Sequence, residues 1–300
     1  MLRWTPSGAV AAPTTVQIRV QRRYPGRVRA GAPAPTRSLS PAELLANIEH
    51  FTEGLRGPRT APCTGLVLSG ADIAGRPDLP AALDKARVLG VEHVVLHVGE
   101  APLTLATMRD LADRVDVFVV PLQPDARPDI AERTIRTAHT LGVRVSTNTV
   151  LRAAALPLLD STVDALLELR PVAVTLSHPF PTGTAAETVA PLENVRRALD
   201  DALPRLRAAG LPVRLKGLPA CHLGPHAAHL GRTANRWYVD AEHQREDALL
   251  FLPDVLSFHK DDVCRFCSAD PVCDGSFAAW LALPGSTPLR PITSDIPQPH

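Results

Sequence analysis

Apolar residues fall in short β-branched runs along this chain, and stretches with helical spacing separate them. Three passages share one form: ARVLGVEHVVLHV, AHTLGVRVSTNTV and RAAGLPVRLKG. In each, a helical stretch ends at glycine, an apolar residue follows, and a Val- or Leu-rich run comes next. Glycine suits the left-handed position after a helix, and the apolar residue behind it packs back on the last turn. Runs of this kind read as strands buried on both faces, as in a parallel sheet. They predict strands at 16–20, 65–70, 93–98, 115–120, 143–148, 172–177 and 212–217.

Helices are expected between these runs. In LSPAELLANIEHF, Ser40 and Glu43 form a capping box, Pro41 takes the first helical position, and Leu39 and Leu44 make a hydrophobic staple. Leu44, Leu45, Ile48, Phe51 and Leu55 then share one face. RPDLPAALDKARVLG and RPDIAERTIRTAHTLG each open with proline and close with glycine. Alternating strands and helices predict an α/β fold: a partial (β/α)6 TIM-like barrel, with a doubly wound sheet as second choice. After LPACHLG the rhythm stops. The expected organisation is a flexible N-terminus over 1–15, a barrel over 16–221 and a cysteine-rich extension over 222–300.

Composition narrows the function classes. A net charge of +1 gives no electrostatic argument for nucleic acid or a membrane surface. The N-terminus lacks an apolar signal region, and no run is long enough for a membrane span, so a cytoplasmic protein is expected. Five cysteines in that compartment point to metal or cluster chemistry more than to disulfides.

In a barrel, ligands bind at the C-terminal strand ends. The residues there are Ser69 and Gly70, His97 and Gly99, Asn148, Ser177 and His178, and Lys216 and Gly217. The sharper signal is DDVCRFCSADPVCDG, in which Cys264, Cys267 and Cys273 make a C-x2-C-x5-C array. Two thiolates on one tight turn chelate a single centre, and a third needs one more loop. Cys221, at the end of the last expected strand, is the candidate fourth. His222 and His259 are the alternatives to a thiolate. Four thiolates satisfy a tetrahedral zinc site or an iron–sulfur cluster. Cys63 stands apart as a small core residue. Trp237 and Tyr238 read as aromatic anchors of the extension on the barrel, with a binding surface as the alternative.

The stretch LVLSGADIAGRPDLP resembles the glycine-rich second-strand motif, G-G-E-P, of the radical S-adenosylmethionine family. Gly70 matches the first glycine, Ala71 stands for the second, Asp72 for the glutamate and Ile73 for the proline. The C-terminal array, with Gly275 behind it, is similar to that family's SPASM and Twitch extensions; a further cysteine of the longer motif would fall at Phe277. The resemblance implies a partial barrel whose first strand is followed by C-x3-C-x2-C, three thiolates that hold a catalytic [4Fe–4S] cluster. Here those positions are Tyr24, Val28 and Gly31, in RRYPGRVRAGAP. Valine and glycine offer no donor, and one phenolate cannot hold a cluster.

The resemblance therefore implies a degenerate member without radical catalysis. Ser69, Gly70, Asp72 and Asn148 would be its contacts to S-adenosylmethionine. Binding is expected to be weak, because Ala71 adds a methyl group and Asp72 is one methylene short. Cys221, Cys264, Cys267 and Cys273 would hold a [4Fe–4S] cluster, with zinc the alternative. The expected role is an accessory that binds a substrate, a peptide or an active partner enzyme, or relays electrons. The competing readings are a barrel enzyme using non-radical chemistry at the strand ends and a zinc-stabilised scaffold.

Overall fold

The computed structural model describes residues 2–5, 8–10, 13–21, 37–53, 62–70, 72–99, 103–180, 188–231, 236–249, 258–283 and 286–293. Tyr24, Val28 and Gly31, and with them the whole first-strand loop, lie outside the described residues, as do Ala71 and Leu55.

A short antiparallel pair comes first, β1 (Leu2–Thr5) and β2 (Gly8–Val10). The repeating part follows as β3 (Thr15–Arg19), α1 (Pro41–Thr52), β4 (Gly65–Ser69), α2 (Leu79–Val88), β5 (His93–His97), α3 (Leu105–Ala112), β6 (Val117–Pro121) and α4 (Pro128–Thr140). It continues through β7 (Val145–Val150), α5 (Leu159–Leu169), β8 (Ala173–Ser177), α6 (Leu192–Ala208) and β9 (Val213–Lys216). An eighth strand, β10 (Trp237–Val239), completes a row in the order β10-β3-β4-β5-β6-β7-β8-β9. The order from β3 to β9 follows the sequence without reversal. A doubly wound sheet reverses at a switch point, so sequential order selects the barrel-type alternative.

The helix ends carry the expected glycines. Gly90, Gly142 and Gly210 have φ of 93°, 69° and 71°. The next residue in each case donates back across the turn: Val91 to Ala86, Val143 to Ala138 and Leu211 to Leu206, all at 3.0 Å. This is the Schellman closure, and the left-handed backbone is what requires glycine there. At the start of α1, Ser40 and Glu43 bond each other's backbone N–H, as the capping box predicts.

The chain divides into two compact units. The first holds residues 1–121, 133–145 and 234–252; the second holds 122–132, 146–233 and 253–300. In the first, β10 pairs in parallel with β3, so part of the stretch read as extension is a sheet strand. A three-residue strand in polar surroundings has too little periodicity to be recognised from sequence. Its flank is tied to α1 through Asn47, which is fully buried. Asn47 donates to Gln244 Oε1 at 3.1 Å and accepts from Arg245 N–H at 3.0 Å. Trp237 rests on Phe51 with ring centroids 5.7 Å apart, in keeping with an anchoring role. Asn47→Ala orphans both partners and is expected to cost about 1–3 kcal/mol, read from denaturant unfolding.

In the second unit, α5 and α6 are linked by Arg205, which pairs with Asp164 and with Asp160 at 3.5 Å. Among the described residues, no helix is long and apolar enough to cross a membrane.

Candidate metal centre

The four candidate cysteines all belong to the second unit. Gly217 ends β9 with φ 75°, and the chain turns through Pro219 into a 3-10 turn, Ala220–His222, that carries Cys221. Cys264 sits on a second 3-10 turn, Asp262–Phe266. Cys267 follows it, with its N–H bonded to the Cys264 carbonyl at 3.0 Å. Cys273 closes a further turn through its N–H to Ala269 O at 2.9 Å.

Two short strands clamp the base of this loop, β11 (Phe258–His259) and β12 (Ser276–Phe277). Gly275 has φ 91°, and a Cβ there would lie 2.1 Å from the His259 carbonyl oxygen, so no other residue fits. Phe277 stacks on Phe258 at 4.5 Å and covers the bare Cα of Gly217. The helix α7 (Ala278–Leu281) adds Trp280, whose indole donates to Pro179 O at 2.8 Å.

These turns bring Cys221, Cys264, Cys267 and Cys273 to the wall of one cavity of about 20 Å³. Lys260, Asp270, Leu289 and Arg290 line the same cavity. Backbone N–H groups point at three of the sulfurs. Cys273 Sγ accepts from Gly275 at 3.2 Å and Ala220 at 3.4 Å, Cys267 Sγ from Ile292 at 3.2 Å, and Cys221 Sγ from Arg290 at 3.5 Å. Burial pushes the thiol pKa of Cys221, Cys264 and Cys273 upward; backbone hydrogen bonds oppose this at all three, from Asp261 in the case of Cys264, and Lys260 adds to that opposition at Cys273. Lys260 is itself held by the Asp270 carboxylate at 2.7 Å. Among the described residues, no three His, Cys, Asp or Glu side chains are grouped as a ready-made metal site.

The two histidines weighed as ligands are engaged elsewhere. His222 Nε2 meets Pro288 O at 3.2 Å, and His259 Nε2 meets Asp261 at 2.7 Å. Cys63 lies in the first unit. It is buried, with burial lifting its thiol to about 12.

The strand-end residues divide between the units. In the first, Ser69 is buried and its hydroxyl has no partner among the described residues. Gly70 lies against β3: a Cβ there would be 3.3 Å from Gln21 N. Asp72 is exposed, and its carboxylate folds over its own turn, 2.9 Å from where a Cβ on Gly75 would stand. In the second unit, Asn148 Oδ1 accepts from the Ser177 hydroxyl at 3.2 Å. Two residues that the sequence did not flag flank it. Gln123 donates to Asn148 O, and Arg152 bonds both Gln123 Oε1 and Asp125.

His178 stands differently from its expected place at the rim. It is 4% exposed, stacked parallel to Phe277 and edge-on to Trp280, each at 6.4 Å. Among the described residues, neither ring nitrogen has a well-formed hydrogen bond. Burial drives its pKa down to about 4, against a small opposing effect of the Ala190 backbone. It is a core residue here.

No protein-family model matches the sequence, and no curated protein does. Solved structures do. SuiB of Streptococcus suis bound to S-adenosylmethionine superposes with a TM-score of 0.61 at 12% identity, over 92% of this chain and 75% of SuiB. Native anSMEcpe with bound AdoMet gives 0.60 at 9% identity, over 88% and 89% of the two chains. SuiB bound to precursor peptide SuiA gives 0.53 at 12% identity, over 71% of this chain and 50% of that one. At such identities the likeness establishes architecture alone: the chain has the partial (β/α)-barrel fold of radical S-adenosylmethionine proteins.

Proposed function

We propose that this chain is a radical-S-adenosylmethionine-like protein without the catalytic cluster, whose four extension cysteines hold a [4Fe–4S] cluster. The observation that carries the reading is the meeting of Cys221, Cys264, Cys267 and Cys273 on one cavity, with N–H donors at three sulfurs. Such donors stabilise thiolates, which both cluster and zinc sites need. Metal binding would draw the sulfurs inward from their present spacing and replace the thiol protons. A bound cluster would supply one-electron transfer.

Loss of radical catalysis rests on Tyr24, Val28 and Gly31 at the three cluster positions of the family motif. Ser69, Gly70 and Asp72 remain the proposed contacts for weak S-adenosylmethionine binding within the first unit. The role is that of an accessory that binds a peptide or a partner enzyme, or relays electrons. SuiB with SuiA is a peptide complex on this fold, which supports the peptide as first choice.

Anaerobically purified protein should carry about four irons per chain and absorb near ~400 nm. A colourless protein with one zinc per chain would move the reading to a structural scaffold, and a metal-free one would end it. Given dithionite and S-adenosylmethionine, the protein should form no 5′-deoxyadenosine above a protein-free control.

A further inference from the structure

The segment Pro288–Ile292 has no cysteine and no recognisable motif, yet it crosses the cysteine cavity. Leu289 is buried to 5% exposure and lines the cavity with Arg290, which, like Pro291, is largely exposed. The N–H groups of Arg290 and Ile292 donate to Cys221 Sγ at 3.5 Å and Cys267 Sγ at 3.2 Å. Donors two residues apart lie on one edge of an extended backbone. Pro291 between them has no N–H to leave unpaired on the other edge, and it biases Arg290 toward the extended conformation. The segment is fastened at both ends: Pro288 O meets His222 Nε2 at 3.2 Å, and Ile292 O accepts from Ser268 N–H at 2.8 Å.

We propose that Pro288–Ile292 is a positioning strap for the metal centre, whose two N–H groups fix the thiolates of Cys221 and Cys267 and whose Leu289 keeps water out. This rests on the reading of the four cysteines as a metal site. The strap's part is separable from the ligands, because it acts only through backbone donors and one apolar side chain. Outer hydrogen bonds to metal ligands typically carry ten- to a hundred-fold in affinity.

The test is metal loss to EDTA from the full chain, followed by elemental analysis after desalting, which serves iron and zinc alike. Ile292→Pro removes the N–H to Cys267 and keeps the carbonyl that holds Ser268; it should release metal about tenfold faster or more. Ile292→Ala keeps the N–H and should match the wild type. Leu289→Asp, which places a carboxylate in the cavity, should also accelerate release, and it decides the matter should Ile292→Pro fail to fold. With iron bound, the midpoint potential of Ile292→Pro should fall, since a donor that stabilises the reduced centre is gone. Release from Ile292→Pro or Leu289→Asp at the wild-type rate would overturn the strap while leaving the centre intact. A wild type without metal would overturn both readings.

Discussion

Replacing Cys273 by serine should empty the centre and open the loop between β11 and α7 to protease, while the strand–helix repeat stays folded. Cys273 receives two N–H donors, and the nearby Lys260 ammonium favours its thiolate. Serine keeps the approximate volume but removes the soft donor. The effect should be large, because the loop from Phe258 to Phe277 has only two-residue strands and short turns of its own. Apparent metal contributions of about 10–16 kcal/mol in small thiolate sites set the scale. Elemental analysis with limited proteolysis reads the outcome. Cys63→Ser is the control and should leave metal content unchanged. If Cys273→Ser retained full metal and the wild-type cleavage pattern, the cysteines would not be ligands.

The second large effect is expected from pH. His178 is held neutral by burial, with a pKa of about 4 against an ordinary 6.5. The unfolded chain therefore binds a proton between these values that the folded chain refuses. Stability contributed by the neutral ring is complete above about pH 6.5 and is lost as pH falls toward 4. The difference corresponds to about 3 kcal/mol. His50, His222 and His229 are also depressed by burial and add in the same direction. His178→Phe isolates the term. It preserves an aromatic face toward Phe277 and Trp280 but has nothing to protonate. Urea midpoints at pH 7 and pH 4 should draw closer in this variant than in the wild type. An unchanged gap would mean that His178 finds a proton partner when charged.

The same histidine separates what is legible in the sequence from what only packing decides. The runs predicted as strands reappear as β3 to β9 within a few residues, because each keeps a short β-branched apolar run; only β4 is buried throughout, while β3, β6, β7 and β8 alternate buried with half-buried positions. The capping box and the three glycine closures were legible because each is a local device with its own spacing. His178 does follow directly on β8, but parity turns it away from Ser177: Val174 and Leu176 are fully buried, and His178 continues their alternation onto the same face, a pattern legible in VTLSH.

The cysteine array is legible through spacing as a candidate centre, but the segment Pro288–Ile292 is not: what it offers the cavity is two backbone N–H groups, and every residue except proline carries one. Gln123 and Arg152 were missed for a related reason: nothing near them in sequence announces that Asn148 will be their neighbour.

The proposed strap bears on how the centre is filled. Arg290 lies 69 residues after the sulfur it serves on Cys221, and Ile292 lies 25 after Cys267. A ribosome therefore delivers all four thiols before it delivers the segment that covers them. If the proposed strap covers the centre, a chain whose strap is undocked leaves the loop open to an incoming metal, and docking of Pro288–Ile292 narrows the way in. Uptake by an empty chain would then be paced by how often the strap lifts.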